Sequence, residues 1–124
     1  MNLKNKKGAA LVETAFAIML LLTIVFGIFE YGRAMFMTNA LNNAAREGAR
    51  RAAVSPAPID INAYVRSCIP FDTPGLEITT SITTPTPGSG DPVTVTLTLP
   101  FRALTGIIPV PDNLSGEATM RYEL

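Results

Sequence analysis

An apolar run near the N-terminus limits the folds open to this chain. Residues 9–29 comprise about 21 positions and carry one charge, that of Glu13. As a helix the run is about 30 Å long, close to the hydrocarbon thickness of a bilayer. Lys4, Lys6 and Lys7 precede it and favour a cytoplasmic N-terminus, although later arginines reduce the asymmetry. The run predicts a single-pass membrane segment.

Three interpretations of this segment compete. A cleavable secretory signal fits poorly, because no small-x-small cleavage motif follows Phe29. A plain signal anchor leaves Glu13 unexplained, since a carboxylate inside a membrane helix costs about 2.5–3.5 kcal/mol and needs a partner or a water path. In a prepilin-type leader, a peptidase cuts between Gly8 and Ala9 and the apolar stretch remains as a helix. Glu13 could also simply offset the dipole at the helix start.

The string Gly-Ala-Ala-Leu-Val-Glu at residues 8–13 resembles the signature of type IV pilins. That resemblance implies a prepilin peptidase substrate whose mature chain starts at Ala9. It also implies that Glu13 meets the free α-amino group of a neighbouring subunit, which would neutralise the buried carboxylate and set the axial offset between helices. Thr14 departs from the signature, which prefers phenylalanine at that position.

The helix is predicted to continue past the membrane. No breaker occurs before Pro56 and Pro58, so it should run from about residue 9 to about residue 54, roughly 70 Å. Its second half has small residues at every fourth position: Ala40, Ala44, Gly48 and Ala52. Such a row lets another backbone approach closely. It could pack on the chain's own sheet, which we favour for residues 44–54, or on helices of an assembly.

Two further motifs lie on this helix: Glu30-Tyr31-Gly32-Arg33, and Leu-Asn-Asn-Ala-Ala-Arg-Glu-Gly-Ala-Arg at 41–50. With the glutamate-bearing leader they resemble the TadE-like family, which comprises pilin-like proteins of tight-adherence (Flp-type) pili. The resemblance covers most of the first 54 residues. The residues to which we assign helix pairing or packing are Glu30, Gly32, Arg33, Ala40, Ala44, Arg46, Glu47, Gly48, Arg50 and Ala52.

The remainder of the chain, from residue 55, has a different pattern. Apolar residues at helical spacing predict a short helix within 59–68, capped by Asp60 or begun after Pro58. Alternation of apolar and polar residues predicts strands near the segments 76–82, 93–101 and 118–124. The connections are short, which favours an antiparallel meander.

The apolar face of such a sheet must be covered, and the nearest cover is the C-terminal half of the long helix. The predicted fold is therefore α+β. A basic leader (1–8) precedes a long transmembrane, pilin-type helix (9–54, with 9–29 in the membrane). A small extracytoplasmic head (55–124) contains the short helix and a three-stranded antiparallel sheet packed on the helix. The apolar stretch at 107–111, between the last two strands, should pack against the sheet rather than form a contact patch.

Composition argues against enzymatic chemistry. The chain has no histidine, one cysteine (Cys68) and zero formal net charge, so most metal sites and histidine-dependent hydrolases lack their residues. We therefore expect no catalytic residues, no metal, no cofactor and no nucleic-acid partner. Cys68 is predicted to be a buried small hydrophobe, with an intermolecular bridge as the alternative.

The predicted function is structural: a minor pilin, or pseudopilin, of a Tad/Flp-type pilus assembly. The implied partners are prepilin peptidase, other pilin-like subunits or copies of the chain, inner-membrane pilus assembly machinery and the lipid bilayer. The chain would lie in the inner membrane with its N-terminus in the cytoplasm, and in an extracellular adhesion filament after assembly. The alternative is a non-polymerising single-pass accessory protein whose head binds a partner of the pilus or secretion machinery.

Overall fold

The computed structural model describes residues 3–55, 60–82, 90–106 and 108–123, with only the backbone for residues 3–5 and Ile82. Several sequence predictions fall outside these ranges. They concern Pro56, Pro58, most of the turn-rich connection between the first two strands, Ile107 and Leu124.

One long helix, α1, runs without interruption from Leu3 to Ala53. It begins at Leu3 rather than near Ala9, because the leucine and the three lysines before the apolar run also favour helix. Arg50 and Arg51 lie in the last turn, where positive charge interacts favourably with the negative end of the helix dipole. The N–H of Glu123 donates to the Ala53 carbonyl at 3.1 Å, which satisfies one of the acceptors left free at the helix end.

The N-terminal half of α1 is long and apolar enough to cross a membrane. Only 6% of its most apolar 18-residue window is buried inside the protein, whereas a core helix of a soluble protein is mostly buried. Its side chains point outward instead: Leu11 is 72% and Phe16 is 69% exposed. Thr14 and Thr23 satisfy their hydroxyls by donating to the carbonyls of Ala10 and Met19.

The chain divides into two compact units. The first contains Met1–Arg33 and Ala103–Val110, and the second contains Ala34–Arg102 and Pro111–Leu124. The second unit corresponds to the α+β arrangement that the sequence predicts, and the first combines the apolar helix with part of a loop.

The sheet of the second unit has three antiparallel strands in the order β1 (Glu77–Ile82), β2 (Pro92–Pro100) and β3 (Asn113–Arg121). A short helix, α2 (Ile61–Ser67), precedes the strands. Asp60 is its N-cap and accepts the Ala63 N–H at 3.1 Å. These elements confirm the predicted α+β fold with its antiparallel meander.

The bounds of β3 differ from the prediction. The strand begins at Asn113 rather than near Ala118. The loop before it therefore spans residues 101–112, whereas the sequence predicted 104–113. We refer to residues 101–112 as the β2–β3 loop. Gly116 hides the strand in the sequence, because glycine is a poor strand former. The structure requires it: a Cβ at Gly116 would lie 2.6 Å from the backbone carbon of Leu41.

The core of the second unit lies between one face of α1, helix α2 and the inner face of the sheet. Strand β2 alternates buried and less buried residues along its length. The apolar residues with an exposed fraction of zero are Leu41, Ala45, Ala49, Val65, Val93, Val95 and Leu97. Full burial of a Val or Leu side chain contributes about 1.5–3 kcal/mol, so this layer is the main source of stability of the second unit.

Candidate functional site

The first unit contains a buried carboxylate at the end of the apolar segment. Glu30 is the first residue after 9–29 and is 1% exposed; among the described residues it is the one charged side chain that is buried. Its Oε1 accepts the N–H of Leu104 at 2.6 Å. Its Oε2 accepts the N–H of Thr105 at 3.2 Å and the Thr105 hydroxyl at 2.6 Å. We refer to these three hydrogen bonds as the Glu30–loop contact.

The partners of Glu30 suit an ionised carboxylate. The hydrogen bond from the Thr105 hydroxyl, followed by that from the Leu104 N–H, holds the pKa of Glu30 below its ordinary value, and burial opposes them. Arg33 adds a longer-range attraction, with its Nη2 3.8 Å from Oε1 at the i,i+3 spacing. The Arg33 side chain is 31% exposed, so it links the buried carboxylate to the surface.

An apolar contact lies one helical turn before Glu30. A Cβ at Gly27 would be 2.5 Å from Cδ1 of Ile108, so the glycine leaves the space that Ile108 occupies. Gly106, between the polar and the apolar contact, has a φ of +66°, a conformation that favours glycine. The loop is thus held on α1 by Ile108 and by the Glu30–loop contact.

The sequence led us to expect that the apolar stretch of this loop packs against the sheet. In the described part of that stretch, Ile108 packs on the helix at Gly27. The helix supplies both a gap for an apolar side chain and a carboxylate for two loop amides, which otherwise need acceptors. Gly27 and the loop residues 104–108 were not among the site residues that the sequence suggested. The available signal was Glu30 itself, since a carboxylate beside an apolar segment requires donors.

The residues assigned to processing and assembly lie on the open helix surface. Gly8 and Ala9 are helical and exposed, and a Cβ at Gly8 meets no described atom within 4 Å. Glu13 is also exposed, on a helix surface that is otherwise apolar. The structure places these three residues near one another on the same two turns of α1 and apart from the Glu30–loop contact.

Residues of the small-residue row mostly face the chain's own head. Ala44 is 1% exposed, and a Cβ at Gly48 would lie 2.5 Å from Cγ2 of Val65 in α2. Ala40 and Ala52 are half-buried. Packing within the chain therefore accounts for the centre of the row, and the two end residues retain some free surface.

The remaining motif residues are on other faces of the helix. Arg46 and Arg50 are exposed, and so is Gly32, where a Cβ meets no described atom within 4 Å. Glu47 accepts the Tyr64 hydroxyl at 2.9 Å, and this hydrogen bond raises the pKa of Tyr64. The Arg51 guanidinium lies 5.6 Å from the Tyr64 ring centre, so Glu47 and Arg51, spaced i,i+4 on α1, both contact one tyrosine.

The described residues contain no group of three or more His, Cys, Asp or Glu side chains that could hold a metal ion. Cys68 is half-buried with a free thiol.

Comparison with known protein families gives a match over most of α1. Residues 8–50 match the family model described as TadE-like protein. No curated protein and no solved structure matches the chain. The matched segment contains the leader glycine and Glu13, the motif at 30–33 and the motif at 41–50, which are the features on which the resemblance was based. Through this segment the chain is similar to TadE-like proteins.

Proposed function

We propose that the chain is a structural subunit of a Tad/Flp-type pilus assembly, cleaved by prepilin peptidase after Gly8 and assembled through its apolar helix. One observation carries this proposal: within a TadE-like segment, only 6% of the most apolar window is buried in the chain itself. A surface of this kind needs an apolar partner. Lipid serves before assembly, and the helices of neighbouring subunits serve afterwards.

Glu13 gives the assembled state its specificity. A carboxylate within the apolar segment costs about 2.5–3.5 kcal/mol unless it is paired. Cleavage after Gly8 creates a new α-amino group on Ala9, which is a cation of the required charge. An amine from one subunit and Glu13 from the next would neutralise each other and fix the stagger of adjacent helices.

The same scheme sets the orientation and the partners. The basic leader remains in the cytoplasm until cleavage, and the head lies outside the inner membrane. The chain is then a substrate of prepilin peptidase and a component handled by the pilus assembly machinery, with no catalytic role of its own. A pilin-like subunit with a head of this size fits a minor position in the filament.

The proposal is tested by the mature N-terminus together with the location of the chain. Gly8→Ala should leave the leader attached, as seen in the intact mass. Glu13→Ala should be cleaved normally yet be missing from sheared surface filaments. Thr23→Ala is a matched control on the same helix and should be processed and incorporated. Filaments that contain Glu13→Ala at the normal level would contradict the proposal.

A second function is favoured by the burial of Ala44 and Gly48 against the chain's own head. Because the centre of the small-residue row is already occupied, fewer helix faces remain for a polymer. The chain would then be a non-polymerising accessory protein whose head binds a pilus or secretion component. Recovery of the chain only in the membrane fraction, with its leader intact, supports this function over the first.

A further inference from the structure

The β2–β3 loop brings an exposed apolar side chain to the end of the membrane segment. The Leu104 N–H is held by Glu30, whereas the Leu104 side chain is 68% exposed. Ile108 contacts α1 at Gly27, which is within the apolar run 9–29. The contacts fix this part of the loop beside the last turn of the apolar segment.

This level of the helix has the side chains that are typical of a membrane interface. Phe29 is 66% and Tyr31 is 62% exposed, and Arg33 follows them. Aromatic residues concentrate at the headgroup level, and arginine there can extend its guanidinium towards water. A helix that spans the bilayer with residues 9–29 therefore places Gly27 and Glu30 at the boundary between hydrocarbon and headgroups.

Irregular backbone at that depth is costly unless its polar groups are paired. The Glu30–loop contact provides hydrogen-bond partners both for the loop amides and for the carboxylate. The carboxylate accepts the amides of Leu104 and Thr105, and the same amides and the Thr105 hydroxyl satisfy the carboxylate. The loop can therefore present the Leu104 side chain to lipid while its neighbouring N–H groups remain hydrogen-bonded.

We propose that the loop at Leu104 and Thr105 inserts into the headgroup region on the outer side of the bilayer, with the Leu104 side chain in contact with lipid. The loop is then a second membrane contact beside α1. Phe29 precedes Glu30 on the helix and Leu104 is hydrogen-bonded to Glu30, so two exposed apolar side chains lie at the end of the apolar segment, which indicates that one occupant, lipid, covers both. This proposal uses the membrane placement given in the proposed function and is independent of cleavage and polymerisation.

The chain contains no tryptophan, so a single introduced tryptophan reports on one site. Leu104→Trp should be examined in the full chain reconstituted into phosphatidylcholine–phosphatidylglycerol vesicles at high lipid-to-protein ratio. We expect a blue-shifted emission, strong quenching by lipids brominated near the headgroup, and loss of quenching by aqueous iodide. Leu22→Trp, within the apolar segment, and Thr79→Trp, at an exposed position of β1, are the references for lipid and water.

Equal iodide quenching of Leu104→Trp and Thr79→Trp, with no response to brominated lipid, would overturn the proposal. Protection from iodide that disappears on dilution with lipid would overturn it too, because a second copy of the chain would then be the occupant. Glu30→Gln should detach the loop and restore iodide quenching of the tryptophan at 104.

Two further measurements separate this proposal from folding defects and from the proposed function. If Leu104→Trp does not fold, an environment-sensitive probe on Leu104→Cys, in a chain with Cys68→Ser, gives the same depth measurement. Gly8→Ala keeps the leader attached and should leave the depth of residue 104 unchanged. A wild-type chain recovered with its leader intact would therefore refute the assembly role while leaving the loop result intact.

Discussion

The two halves of α1 have the same secondary structure and different sources of stability. In 9–29 nearly every large apolar side chain is exposed, as with Leu20 at 65%. In 34–53 one face is buried, with Leu41 at 0% exposed, and the other faces carry charge. The first half presents an apolar surface that the chain itself does not cover, whereas the second half is stabilised by the chain's own sheet. One continuous helix can therefore have an apolar half that the chain leaves exposed and another half that packs in a protein core.

The largest expected effect comes from a pair of identical substitutions in the two halves. Leu41→Ala should lower the free energy of unfolding of the head by about 2–5 kcal/mol, because it leaves a cavity in a packed core. Leu20→Ala should leave it unchanged. Denaturant unfolding in a mild detergent, followed by near-ultraviolet circular dichroism, measures both. Equal effects would mean that the two halves do not differ in packing.

Glycines provide the next test. Gly48→Ala should destabilise the head by about 1–3 kcal/mol, because its Cβ would overlap Val65. Gly32→Ala meets open space and should stabilise the helix by up to about 1 kcal/mol through propensity. The same unfolding assay applies. A stabilising Gly48→Ala would show that Val65 can move aside at little cost.

A smaller effect is expected within the head. Asp60→Ala removes the N-cap acceptor of α2 and should cost about 1 kcal/mol. Asn62→Ala, at an exposed position of the same helix, serves as the control. No difference between the two variants in unfolding midpoint would indicate that packing of Val65, and not the cap, maintains α2.

Glu30→Gln should act on the loop and leave the stability of the head almost unchanged. The amide keeps the shape of the side chain but replaces an ionised acceptor by a neutral one. We expect faster hydrogen exchange at the N–H groups of Leu104 and Thr105, with unchanged exchange in β2. Faster exchange throughout the sheet would show that the loop contact supports the whole head.

Acidification should also speed hydrogen exchange at the Leu104 and Thr105 amides, but by less than Glu30→Gln does. Because the pKa of Glu30 is lowered when the loop is bound, the contact is fully present above the ordinary pKa of glutamate and is lost as the pH falls through the lowered value. Hydrogen exchange of the Leu104 and Thr105 amides, compared at neutral and acidic pH, tests this direction. Glu30→Gln should remove most of the pH dependence.

The sequence predicted the features that arise from local pattern. Strand β2 alternates strictly because only one of its faces is buried, and α2 has both a cap and an apolar face. The predicted start of β3 was wrong, because glycine is a poor strand former and Gly116 is required by the close approach of the Leu41 backbone. The role of Glu30 was predicted only in part: the sequence placed it in one motif with Arg33, whereas its loop donors depend on tertiary structure.

The Glu30–loop contact joins distant parts of the chain. The Leu104–Glu30 hydrogen bond joins residues 74 positions apart. Closing so long a segment carries a large entropy cost, which is recovered only once the intervening strands have paired. We therefore expect this bond to be among the last to form during biogenesis. A newly inserted chain would pass through a stage with a folded head and a detached loop, when Glu30 is open to donors from other molecules.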